Sequence, residues 1–124
     1  MTVAHPFGVA VLADDFEGAL ATLADDVVFR SPAVHKPYSG KAQVEQVLRL
    51  VATVFENFRY VAEWRDGRTT ILLFEANVGD RDLQGIDILE ENDDGLIDRF
   101  TVMIRPLSGL QAVARTMSER LGLA

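Results

Sequence analysis

Residues 29–40 read FRSPAVHKPYSG, which sets a histidine and a tyrosine three positions apart in a segment that also holds two prolines. The rings of Pro32 and Pro37 fix two φ angles, so the segment is expected to hold His35 and Tyr38 in restricted positions. An imidazole titrating near its ordinary pKa of about 6.5 can serve as a general base at neutral pH, and a phenol can orient a substrate by donating a hydrogen bond. The competing reading is a stiff connection, with His35 an exposed loop residue and Tyr38 packed on the helix that follows Gly40. Gln84, in DLQGIDIL, is the third polar candidate, because its amide can donate to a carbonyl or an oxyanion without any pKa adjustment.

If Gln84 points inward, strand alternation brings Ile86 and Ile88 to the same face, with Phe100, Val102 and Ile104 on the next strand. Such a wall suits a hydrophobic ligand or a filled core. Phe55, Tyr60 and Trp64 either close the mouth of a pocket or complete an ordinary core. By the same parity Asp87 is expected to face away, toward a partner sheet or a neighbouring arginine such as Arg99 or Arg105.

Other constellations fail. The two histidines, His5 and His35, form no HxxxH or HExxH pair and the chain has no cysteine, so no metal site and no cofactor are expected. EENDDG at 90–95 mimics a calcium loop, but its twelfth position is Thr101 where a bidentate glutamate is needed, so it reads as a hairpin turn. No GxSxG surrounds Ser31. The aspartate pairs at 14–15 and 25–26 suit helix capping and surface charge.

These residues must be positioned by one domain, since 124 residues without repeats or a flexible linker give a boundary nowhere to fall. In DDFEGALATLADD, Phe16, Leu20 and Leu23 recur at helical spacing one turn after Leu12, which predicts a broken, two-part N-terminal helix started by Asp14 or Asp15. VVF predicts a short strand, and Val44, Val47, Leu48, Val51 and Phe55 predict a helix of about four turns. From residue 57 the period becomes two, and the turns at Asp66–Gly67 and at 92–95 organise strands over 57–66, 68–78, 82–91 and 96–105 into an antiparallel meander. After Pro106, Ser108 is expected to cap a final helix. Helices followed by a bent meander predict an α+β domain with the helices on the concave face of the sheet.

The net charge of -7 opposes binding to nucleic acid, and no apolar run is long enough to span a membrane. MTVAHPFGVAVLADDF carries no basic leader, so the expected location is the cytoplasm.

DFEGALATLADDVVFRSP, YSGKAQVEQVL and GIDILEENDDGLIDRF together resemble the SnoaL-like branch of the nuclear transport factor 2-like superfamily, which also includes the ketosteroid isomerases. The resemblance spans nearly the whole chain and implies a cone-shaped α+β barrel with an apolar pocket inside and dimerisation through the sheet. In the isomerases a carboxylate moves a proton while a tyrosine and a protonated aspartic acid stabilise the enolate. Carried over by the resemblance, those three positions fall at Ser31, near Phe7 and near Gln84, so the isomerase set is absent. Two functions follow. One is a proton-transfer enzyme of isomerase or cyclase type acting on a small hydrophobic carbonyl compound, with His35 as base, Gln84 and Tyr38 as donors, and Phe7, Ser31, Phe55, Trp64, Ile86, Phe100 and Val102 around the ligand. The other is a non-catalytic ligand-binding or dimerisation module of the same fold. A homodimer is expected through the face carrying Val78, Leu89 and Met103.

Overall fold

A computed structural model describes residues 3–122. Two short helices, α1 (Pro6–Leu12) and α2 (Phe16–Leu20), lead into strands β1 (Leu23–Arg30) and β2 (Tyr38–Ser39) and helix α3 (Lys41–Ala52). The long strands β3 (Glu56–Asp66), β4 (Thr69–Val78), β5 (Arg81–Glu91) and β6 (Ile97–Arg105) follow, and α4 (Leu107–Arg120) ends the fold. The α+β expectation holds, with the helices gathered on one side of a curved sheet.

The break in the N-terminal helix has a local cause. Asp14 adopts a left-handed φ of 59°, a region in which aspartate is more tolerated than bulkier residues, and the Asp15 side chain then accepts from the Gly18 amide to restart the chain as α2. His5 caps α1 by accepting from the Phe7 amide at its Nδ1, and burial lowers its pKa, which favours the neutral ring that this acceptor role requires. Leu23 belongs to β1 rather than to a helix, and Ser108 lies inside the first turn of α4, where Pro106 takes the cap position without a side-chain bond. Asn92 Oδ1 accepts from the amides of Asp94 and Leu96, so the acidic segment at 92–95 is a turn held by its own asparagine.

The sheet runs β2-β1-β6-β5-β4-β3. The meander is the expected part. The pairing of β1 parallel to β6, with Phe29 beside Phe100, is what extends the sheet beyond it, and no local pattern announces this pairing. Helix α3 lies over β1 and β2, and α4 lies over β4, β5 and β6. The core between helices and sheet is built from Leu20, Leu23, Val27, Val44, Leu72 and Phe74, all essentially inaccessible to solvent, each side chain contributing about 1.5–3 kcal/mol by its removal from water.

Along β5 the inward side chains are Leu83, Gly85, Asp87 and Leu89. Gln84, Ile86 and Ile88 therefore stand on the outer face, against the parity expected from the sequence. Both faces of β5 are rich in apolar residues, so hydrophobicity alone could not fix which one is buried. Leu89, expected at an outer interface, is 0% exposed in the core, and Val78 packs against that core.

Candidate functional site

Between the helices and the concave face lies a cavity of about 580 Å³. Its walls come from every layer: Phe7 and Val11 of α1, Phe29 of β1, Val47, Leu48 and Val51 of α3, Phe100 and Val102 of β6, and Val113 and Met117 of α4. Amphipathic helices supply their apolar stripes and the inward parity of the strands supplies the rest.

The polar centre of this cavity is Asp87. It lies in β5 between Leu72 of β4 and Val102 of β6, and it is 6% exposed. The Tyr60 hydroxyl, from β3, donates to its Oδ2 at 2.8 Å. In register, Tyr60 sits beside Phe74 and Phe74 beside Gly85, so the phenol reaches diagonally across β4 to a residue two positions farther along β5. Gly85 makes this arrangement possible. A Cβ there would lie 2.3 Å from Cζ of Phe74 and 2.6 Å from the Met103 carbonyl oxygen, so only glycine admits the Phe74 ring. Phe55, Phe58 and Phe74 complete an aromatic wall with centroid separations of 5.0–5.7 Å, and Tyr60 meets Phe58 edge to face at 4.9 Å.

Burial dominates the electrostatics. Removal from water pushes the Asp87 carboxyl from 3.8 up to about 7, and the hydrogen bond from Tyr60 offsets only part of the rise. Burial and the neighbouring carboxyl hold the Tyr60 phenol well above its ordinary value. Near neutrality, then, Asp87 exists both as a neutral acid that donates and as a carboxylate that accepts.

The other sequence-derived candidates divide cleanly. Phe7, Ser31, Tyr38, Phe55, Phe100 and Val102 line the cavity. Gln84 and Ile86 do not, because they stand on the opposite face of β5, and Trp64 is 54% exposed on the outer face of β3 beside Ile71. His35 is exposed at the loop tip, while Pro32, Ala33 and Val34 of the same loop form the cavity rim. The Ser31 hydroxyl accepts from the Val34 amide at 3.0 Å, so this serine caps the turn that shapes the rim. Asp87, expected to face outward toward a partner sheet or an arginine such as Arg99 or Arg105, instead lines the cavity and accepts from Tyr60. The missed signal was a glycine two residues before a lone carboxylate in an apolar strand, which marks a close approach of ring to backbone.

No protein-family model and no curated protein matches the chain. Solved structures do. A steroid delta-isomerase from Pseudomonas aeruginosa is 44% identical, with 94% of this chain and 92% of that one covered and a TM-score of 0.83. A bacterial protein with a cystatin-like fold from Silicibacter pomeroyi is 34% identical over 95% of this chain and 86% of that one, with a TM-score of 0.87. The chain belongs to the nuclear transport factor 2-like superfamily. That membership agrees with the resemblance to its SnoaL-like branch. A nuclear transport factor 2-like protein from Burkholderia xenovorans, 16% identical over 86% of each chain with a TM-score of 0.69, shares the fold.

Proposed function

We propose that this superfamily member is a proton-transfer enzyme of isomerase or cyclase type that acts on a small hydrophobic carbonyl compound. One observation carries the reading: a carboxyl titrating near neutrality, backed by a phenol, lies inside an apolar cavity. A neutral carboxylic acid beside a tyrosine is the donor pair that ketosteroid isomerases use against a developing enolate, and the likeness to the Pseudomonas aeruginosa steroid delta-isomerase supports the same reaction class. Asp87 in its neutral form donates to the carbonyl oxygen, and Tyr60 holds the carboxyl in place. Polarisation of the carbonyl acidifies the neighbouring carbon. Ser31 has no carboxylate for the proton-accepting role, which falls to Asp14, the other carboxyl of the cavity lining, exposed at the rim.

The test needs no knowledge of the natural substrate. Hydrophobic ketones incubated in deuterated buffer should lose their α-proton signals faster with protein than without, and the rate should fall as pH rises through about 7, where Asp87 stops donating. Asp87→Ala should slow exchange by about 10²–10³-fold, the usual effect of losing one such donor, while His35→Ala exchanges like the wild type. Exchange no faster than buffer for every ketone would defeat the proposal.

A further inference from the structure

Tyr60 occupies one oxygen of Asp87 and leaves Oδ1 without a hydrogen-bond partner among the described residues, on a nearly buried side chain that lines the cavity. The other groups in the lining that can ionise are Asp14 at the rim, Tyr38 of β2 and Tyr60 of β3. Among the described residues, helices α3 and α4 and strands β4 and β6 contribute no charged residue to it, and no lysine, arginine or histidine lines it. An ionised Asp87 would thus be a buried negative charge with no positive partner among the described residues, a state that strongly favours any cation able to reach it. The rings of Phe55, Phe58 and Phe74 line the same cavity and offer the aromatic surface that attracts ammonium groups. The net charge of -7 adds a general field of the same sign.

We propose that the cavity also takes hydrophobic amines, with the ammonium group donating to Oδ1 of Asp87 and the apolar body lying along Phe55, Phe58 and Phe74. The inference rests on Asp87 being the functional group of the cavity, but it calls for the opposite ionisation. A carbonyl oxygen needs the neutral acid and an ammonium needs the carboxylate. Affinity for an amine should therefore rise with pH where affinity for a carbonyl compound falls.

The experiment compares 2-naphthylmethylamine with 2-naphthylmethanol, probes of nearly equal shape, by titration calorimetry from pH 6 to 8. An alkylammonium keeps its proton across this range, so ionisation of Asp87 alone should tighten the amine by about tenfold between the two ends. The alcohol should bind equally well or less well as pH rises. Asp87→Asn, which keeps the shape and removes the charge, should abolish both the amine's advantage at pH 8 and its pH dependence. Amine affinity that is flat with pH, no tighter than the alcohol's at pH 8, or unchanged in Asp87→Asn would overturn the proposal. Should that variant fail to fold by near-ultraviolet circular dichroism, the wild-type pH profiles of the two probes decide alone. Ketone exchange reads the neutral acid and amine binding the carboxylate, so either can fail while the other stands.

Discussion

The two faces of β5 carry similar apolar content and have opposite fates. Inward, Leu83, Gly85, Asp87 and Leu89 meet helices and cavity; outward, Gln84, Ile86 and Ile88 continue a face that also carries Trp64, Ile71, Leu73 and Met103. Register aligns the outward residues in two rows across neighbouring strands, Trp64-Ile71-Ile88 and Ala62-Leu73-Ile86-Met103. A polar group on the outer face keeps contact with water, whereas Asp87 on the inner face has lost it, and only the second acquires unusual chemistry. Position relative to solvent, more than residue type, sets the protonation chemistry of a side chain here.

The sharpest test of that contrast is the dependence of stability on pH. Asp87 titrates at about 7 when folded against 3.8 ordinarily, so the folded state holds this proton more tightly than the unfolded chain does. The resulting stabilisation is complete below about pH 4 and is lost as pH rises through 7, in all on the order of 4 kcal/mol. Denaturant unfolding at intervals from pH 4 to 8 should show a decline for the wild type that is missing in Asp87→Asn. Equal slopes would mean that the carboxyl is not held neutral by burial.

A smaller effect is expected at Gly85. Gly85→Ala forces the Phe74 ring and the β6 backbone apart and should cost about 1–3 kcal/mol, as overpacking commonly does. It should also lower the pH at which Asp87 titrates, because a displaced Phe74 admits water; carbon-13 shifts of the carboxyl would record the change. An unchanged titration would separate Phe74 from the electrostatics of the site.

On the outer face we propose a second copy of the chain as the partner, on account of the two aligned apolar rows and of Trp64 and Met103, which are more than half exposed. Light scattering at micromolar concentration should give twice the chain mass, and Met103→Glu should return it to the monomer, leaving ketone exchange per chain nearly unchanged. A monomeric wild type would remove the outer face from any role in assembly.

The division of labour between sequence and tertiary structure can be argued from particular residues. The helical spacing of Val44, Val47, Leu48 and Val51, the turn residues at Gly67 and at 92–95, and the alternation after residue 57 are local signals, and they determined α3, the hairpins and the α+β class. Phe7 came from the family resemblance and Tyr38 from the proline-bounded loop, and both line the cavity together with Phe55, Phe100 and Val102, which came from the local signals. Those signals could not decide the parity of β5, since a one-residue change exchanges two faces that are both apolar, and so Gln84 and Ile86 were exchanged for Asp87. Nor does a loop sequence say whether its histidine turns inward; Ser31 bonds the rim turn and His35 is left at the exposed tip. The pairing of β1 with β6 and the reach of Tyr60 across β4 to Asp87 join residues that are distant in the chain. Those contacts depend on the packing of every layer at once, and from that packing come the burial of one carboxyl and its shifted pKa.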